Sequence, residues 1–489
     1  MNKLALMLTL VGTVMVFTMP ISAQAETEVA STPKLTPCYL ENISEQVLCG
    51  ALVVPENYTE PDNGRTISIN YAVLPAVSEG KRNDPLLILA GGPGQAATEL
   101  AAGINRIFKE VRRNRDILLI DQRGTGQSDP LSCAEDSVAM LSLRDEEMDP
   151  SLMALECLAQ YVDRDLTQYH SVHAIQDFEA VREHLGYPQV NLYGGSYGSR
   201  AGLVYLREFP ESVRSAVLDA LAPVQVVVGP FGRHGADAFA KMLERCAADS
   251  ACAQAFPNLE QSFQQALSQL QQNPELLTVN DPLSNEPVEL RFTAGRFTDV
   301  LRAALYSPMS QSMLPFIITE TAARNYQPLL GLMGSLMSQQ PLYLGLTLSV
   351  LCSEDMPRAT PELLAADADN DFIGGRTGES FAAMCSVWPQ QQRPDSWFEP
   401  VVSDVPTLLL SGELDPVTPV AWGDLAAETL SNSRHLVAPQ GSHTIVSHTC
   451  ANDLAAQFID TLQLAELDDS CLQEAKPLPF ILNENGAGR

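Results

Sequence analysis

The stretch Val190-Asn191-Leu192-Tyr193-Gly194-Gly195-Ser196-Tyr197-Gly198-Ser199-Arg200 decides the fold. Its first half is apolar enough for a strand, and a helix-like run follows from Ala201 to Phe209. Between them, Gly194-x-Ser196-x-Gly198 calls for a strand that turns sharply into a helix. Such a turn holds its central residue in a strained conformation with the side chain exposed. Glycines two before and two after it let neighbouring backbones approach. The helix N-terminus behind Ser196 offers free N–H groups and a positive dipole end. A serine hydroxyl in that setting is a candidate nucleophile, and the rest of the chain must supply its partners.

Working outward, Asp84 to Ala90, Arg115 to Ile120 and Val213 to Asp219 are apolar runs of the kind buried on both faces of a sheet. Helical spacing separates them, over Leu100 to Val111 and over Ala174 to Leu185, where Ile175, Phe178, Val181 and Leu185 precede the stop signals Gly186 and Pro188. Strand and helix in alternation with short loops predict an α/β fold with a mostly parallel sheet. Extended patterns between Cys49 and Ala76 predict an antiparallel edge hairpin leading into it. From residue 226 to 398 the rhythm changes to a mainly helical, Gln-rich pattern without a clear buried strand. This predicts an inserted helical cap, with the Met and Leu residues of 309–337 as its packing core. The α/β rhythm returns at Val405 to Pro416, followed by a helix (Val420 to Leu430), a short strand (Arg434 to Ala438) and a last helix from about Asn452 to Leu464. The expected division is therefore a signal segment (1–25), a first core part (26–225) that opens on a disordered leader to about residue 37, the cap (226–398), a second core part (399–475) and a tail (476–489).

Composition narrows the function. Lys and Arg number 30 against 60 Asp and Glu, a formal charge of −30. That balance argues against nucleic acid or an anionic membrane as partner. Lys3, the apolar run Leu4 to Thr18 and the A-x-A site ending at Ala25 read as a secretory signal. The run is short for a spanning helix, so no stable membrane anchor is expected after cleavage, and the protein is expected to be periplasmic or extracellular. All ten cysteines follow that signal: Cys38, Cys49, Cys133, Cys157, Cys246, Cys252, Cys352, Cys385, Cys450 and Cys471. An even number in an oxidising compartment predicts disulfides, and sequential pairing is the simplest arrangement. No C-x-x-C or zinc-finger spacing occurs, so neither a metal nor another cofactor is expected.

A serine nucleophile needs a base, and the base needs an orienting carboxylate. Of the seven histidines, His443 follows a predicted strand in a small-residue loop, where its side chain can reach over a strand-end site. His448 is the weaker alternative. Asp415 ends a buried strand in a Pro-rich turn, and Asp219, which ends the strand after the nucleophile, is the other candidate acid. The glycines of Gly91-Gly92-Pro93-Gly94, after another buried strand, can turn a backbone N–H into the site. The N–H groups of Tyr197 and Gly92 are the expected oxyanion donors. Asp121-Gln122-Arg123-Gly124-Thr125-Gly126 lacks the third glycine of a dinucleotide fingerprint, and Asp121 and Arg123 are expected in supporting polar contacts.

These pieces together resemble the proline iminopeptidase and tripeptidyl aminopeptidase family of secreted α/β-hydrolases (peptidase family S33), from about Cys38 to Leu472. The motifs that carry the likeness are Gly91 to Gly94, Asp121 to Gly126, Gly194 to Gly198 and Gly412-Glu413-Leu414-Asp415-Pro416-Val417-Thr418-Pro419. The tail from Asp415 to Cys471 looks like that of the tripeptidyl branch. Ala90 stands where proline iminopeptidases carry His, and Tyr197 where they usually carry Trp, which favours the branch with larger substrates. The resemblance implies an α/β-hydrolase fold, the order Ser196, Asp415, His443, and removal of short peptides from free N-termini. Recognition of the substrate ammonium is expected from cap carboxylates, with Glu354 and Asp355 the candidates beside Cys352. A carboxylesterase or acyltransferase with the same three residues is the competing reading.

Overall fold

The computed structural model describes residues 35–133, 141–280, 286–337 and 342–487. The expected signal segment lies outside them. Eleven strands are formed: β1 (Thr36–Cys38), β2 (Val47–Pro55), β3 (Thr66–Leu74), β4 (Arg82–Leu89), β5 (Arg115–Ile120), β6 (Val190–Gly195), β7 (Val213–Asp219), β8 (Glu275–Asn280), β9 (Pro287–Phe292), β10 (Thr407–Gly412) and β11 (Ser433–Ala438). Nine make one sheet in the order β1-β2-β3-β5-β4-β6-β7-β10-β11. The pairs β1–β2, β2–β3 and β3–β5 are antiparallel, and every pairing from β5 to β11 is parallel. β1 begins at Thr36, so the expected leader gives way to an edge strand two residues early.

The central parallel strands carry apolar runs, such as Leu86 to Leu89 and Ile117 to Ile120, because both faces are covered. Successive side chains point to opposite faces, and the core divides accordingly. Leu87, Leu89, Leu118, Leu192, Leu218 and Leu409 pack on one side with helices Ser171–Leu185 and Tyr197–Glu208. Leu86, Ile88, Ile117, Leu119, Val217 and Leu408 pack on the other with helices Ala101–Ile107 and Ala451–Thr461. Helix Ser171–Leu185 stops at Gly186, whose φ of 73° suits a residue without Cβ. Ends of β4, β6, β10 and β11 thus open onto the same edge of the sheet, where open α/β sheets carry their sites.

Between β7 and β10 the chain is mainly helical and builds its own apolar cluster around Phe239, Phe263, Phe297, Leu314 and Ile318. It also contains β8 and β9, an antiparallel hairpin that the sequence reading does not anticipate. These strands alternate half-buried and exposed positions, with Leu290 and Phe292 turned inward. That period-2 signal is only six residues long on each side and is flanked by Gln-rich helix, so it does not stand out. Chain from outside the expected cap boundaries also joins this cluster. Phe480 of the tail is buried there, and Asp145 accepts from Thr293 Oγ1 (2.6 Å) and Gly295 N–H (3.0 Å).

Five disulfides join sequence neighbours: Cys38–Cys49, Cys133–Cys157, Cys246–Cys252, Cys352–Cys385 and Cys450–Cys471. Among the described residues no helix is long and apolar enough to cross a membrane.

Candidate active site

Ser196 stands between β6 and helix Tyr197–Glu208 with φ 59° and ψ −126°. A non-glycine residue there is strained and must be held by its surroundings. The backbone supplies that hold: Ser196 N–H donates to Asp219 O (2.9 Å), and Ser199 Oγ donates to Ser196 O (2.6 Å). The two flanking glycines are sterically required. A Cβ on Gly194 would overlap the Gly198 carbonyl, and a Cβ on Gly198 would overlap the Leu89 carbonyl. Gly198→Ala is therefore expected to destabilise the protein by about 3 kcal/mol or more, read from its denaturant midpoint.

The strand-end loops converge on this serine. Gly91 packs against the elbow so closely that a Cβ there would lie 3.1 Å from Gly195 O and 3.4 Å from Ser196 Cβ. His443, in the loop after β11, places Nδ1 2.8 Å from Asp415 Oδ2. Asp415 is fixed in turn by the N–H groups of Val417 (2.8 Å) and Thr418 (2.9 Å) and by the Thr418 hydroxyl (2.7 Å). Burial works to raise the Asp415 carboxyl, but the charge and hydrogen bond of His443 and the Thr418 donors outweigh it and hold it below its ordinary value. Burial likewise works to lower His443, and the Asp415 carboxylate, aided by Asp219, lifts it above the ordinary histidine value.

Asp219, the other candidate acid, is placed differently. Its carboxylate accepts the N–H groups of Ile445 and Val446, each at 3.0 Å, and so anchors the loop that carries His443. Burial pushes its carboxyl up to about 7, against the pull of those two N–H groups and of His443. His448 is also taken: its Nε2 accepts the Ser442 N–H (3.1 Å). Both residues shape the His443 loop from below.

Ser196, His443, Tyr197 and Gly92 all line one cleft of about 980 Å³. Its far wall comes from the helical segment, with Phe231, Asp299, Arg302, Tyr306, Arg376 and Phe381. The Tyr306 ring meets the His443 ring edge to face at 5.0 Å. A family model described as alpha/beta hydrolase fold matches residues 84–447, well over half of the sequence. The chain belongs to the alpha/beta hydrolase fold family. Serine protease Hip1 of Mycobacterium tuberculosis (strain ATCC 25618 / H37Rv) is 26% identical to this hydrolase over 471 residues, covering 87% of this chain and 89% of that protein. The proline iminopeptidase of Aeromonas sobria is 30% identical over 202 residues, 40% of each chain. A tripeptidyl aminopeptidase of Streptomyces lividans is 26% identical over 197 residues, 37% of this chain and 36% of that one.

The hydrolase keeps Glu354 and Asp355 out of its cleft, which corrects the expectation that they face a substrate ammonium. Both are fully buried beside the elbow helix. Asp355 pairs with Arg200 Nη1 through both carboxylate oxygens at 2.8 Å and accepts the Val228 N–H. Glu354 accepts the N–H and hydroxyl of Ser171, each at 2.8 Å, and the Ser171 hydroxyl meets Tyr197 Oη at 2.8 Å. Burial pushes the Glu354 carboxyl up to about 7, against the pull of Arg200 and the Ser171 donors. A solvated acidic turn and a ligand site look alike in sequence. What separates this pair from both is the buried arginine on a helix 155 residues away.

The same helix, Leu344–Glu354, grips the glycine loop at its other end. Tyr343 N–H donates to Gly94 O (2.8 Å), and Thr347 Oγ1 donates to Pro93 O (2.6 Å). One helix therefore ties Tyr197 through Ser171 and the Gly92 loop through Pro93 and Gly94. Asp121 and Arg123 serve as supports: Asp121 accepts from Thr98 N–H and hydroxyl (2.9 Å each), and Arg123 makes a buried pair with Asp177 (2.7 Å). Sequence reading missed Thr418, Ser171, Tyr306 and Arg302. Thr418 had a local signal, since a side chain three residues after Asp415 in a Pro-bounded turn can return to it. The other three had none, because they approach from separate elements.

Proposed function

We propose that this hydrolase is an exported serine exopeptidase that cleaves peptide bonds near the free N-termini of short peptides. The observation that carries the reading is His443, paired with Asp415, lining one cleft with the strained Ser196. Full-length similarity to a protein named a serine protease supports it, as does partial similarity to two named aminopeptidases. Five disulfides support export.

In the proposed reaction His443 takes the Ser196 hydroxyl proton while Oγ attacks the scissile carbonyl. The N–H groups of Tyr197 and Gly92 receive the developing oxyanion. The C–N bond breaks, His443 gives its proton to the leaving amine, and water then hydrolyses the acyl-enzyme with His443 again as base. Asp299, the acidic side chain lining the cleft, is the group assigned to the substrate ammonium, with its carboxylate shared with Arg376 (3.1 Å).

The test is a paired assay of free and N-acetylated peptide amides of one to three residues. Free-amine substrates are expected to be cleaved at least about tenfold faster, since loss of one charge-assisted pair is worth roughly 1.5–3 kcal/mol. Equal cleavage of blocked substrates, or activity on simple esters alone, would move the function to an esterase and remove Asp299 from the scheme.

A further inference from the structure

Several arginines fixed inside this protein have anionic partners. Arg123 pairs with Asp177, Arg200 with Asp355, Arg115 with Asp84 and Arg112 with Glu45. Arg302 lines the catalytic cleft and, unlike Arg376 beside it, holds no carboxylate among the described residues. It is half-buried on helix Ala294–Ala304 in the wall of the catalytic cleft, and among the described residues it makes no ion pair. Its Nε is buried with no hydrogen-bond partner there. Among the described residues the one hydrogen bond it makes is a weak one, Nη1 to Tyr306 Oη at 3.3 Å. Asp299, one turn earlier on the same helix, is held by Arg376 instead.

Withdrawing a guanidinium from water without a counter-charge is costly, and the cost is recovered when an anion arrives. Arg302 also sits one aromatic ring away from the base. Its guanidinium carbon is 5.8 Å from the Tyr306 ring centroid, and that ring packs on His443. The overall charge of −30 gives the protein no general attraction for anions. An anionic group entering this cleft must therefore be recognised locally.

We propose that Arg302 is the anchor for a carboxylate of the bound peptide, so that the cleft selects substrates carrying one near the scissile bond. This rests on the peptidase reading above. A planar guanidinium with free N–H groups matches a carboxylate in two-point geometry, which fixes position as well as affinity. The carboxylate has two possible sources, an acidic side chain and the peptide's own C-terminus.

The experiment compares kcat/KM of the full-length mature protein, Arg302→Gln and Arg302→Lys on three tetrapeptides. One is all-alanine and C-terminally amidated, one is the same peptide with a free C-terminal carboxylate, and one is amidated with glutamate in place of one alanine. Wild type is expected to prefer at least one carboxylate-bearing peptide by about 10–100-fold, mostly in KM. Whether the preferred peptide carries the free terminus or the glutamate identifies the source. Whatever its rate on the neutral peptide, Arg302→Gln is expected to erase the preference, bringing the kcat/KM ratios between the carboxylate-bearing and neutral peptides to about one. Arg302→Lys should keep part of it, which a merely structural role would not produce. Equal use of all three peptides by wild type, or a preference that survives Arg302→Gln, overturns the proposal alone. Failure of wild type to cleave any of the three overturns the peptidase reading and this proposal with it.

Discussion

Ser196→Ala is expected to lower kcat on a short peptide by about a million-fold and to leave the folded protein intact. In the proposed reaction Ser196 is the covalent nucleophile, and without it the residual rate reflects only binding and oxyanion stabilisation. The structural silence follows from the backbone. Ser196 holds φ 59° through bonds made by its N–H and C=O, to Asp219 O and Ser199 Oγ. Alanine has the same Cβ and the same two backbone groups. The strain of the turn is unchanged, and no hydrogen bond of the Ser196 hydroxyl supports the fold among the described residues. Measured rates with an unchanged melting temperature check both halves. A variant that keeps more than about a hundredth of the activity would mean that another group is the nucleophile.

Asp415→Asn is expected to lower kcat by about ten-thousand-fold, with a change in pH dependence that separates it from simple damage. In the native site Asp415 Oδ2 receives His443 Nδ1–H, which leaves Nε2 free to take a proton. An asparagine amide turned toward Nδ1 offers donors instead, so the imidazole takes the other tautomer and Nε2 can no longer act as base. The sign of the pH effect is fixed by the charge. The Asp415 anion favours the imidazolium and lifts His443 above its ordinary value, overcoming burial. The proposed reaction needs neutral His443, so kcat/KM of the native enzyme is expected to rise with pH through a midpoint above about 6.5. Removing the anion leaves burial in charge, and the residual activity should titrate at lower pH. A variant whose midpoint stays put would assign the carboxylate role elsewhere, with Asp219 the neighbour to examine.

Much of this architecture was legible because it is governed by short-range rules. Leu86 to Leu89 alternate between two apolar faces, and an unbroken apolar run is what a strand covered on both sides requires. Gly194 and Gly198 could be read as obligatory because the turn brings backbones into contact, and a Cβ at either would overlap a carbonyl. The hairpin β8–β9 was not legible, since two six-residue segments with weak alternation carry less signal than the helices around them. The place of the tail was not legible either. Phe480 stands in the short apolar run Leu478 to Leu482, whose sequence does not say which cluster it enters, and the structure buries it among the helices of the inserted segment.

The site divides along the same line. By itself the sequence determined the strand-end positions of Ser196, Asp415 and His443, because elbow spacing, strand endings and chain order are local or ordinal properties. Only the tertiary structure decided which carboxylate serves which partner. Asp219 and Asp415 both end buried strands, yet one anchors the backbone of Ile445 and Val446 and the other receives His443. Glu354 and Asp355 belong to Ser171 and Arg200, 183 and 155 residues away. Arg302 lines the cleft without an ion pair among the described residues, while its helical neighbour Asp299 is held by Arg376. Pairing between charges depends on distance and burial among groups remote in the chain, and sequence order carries neither quantity.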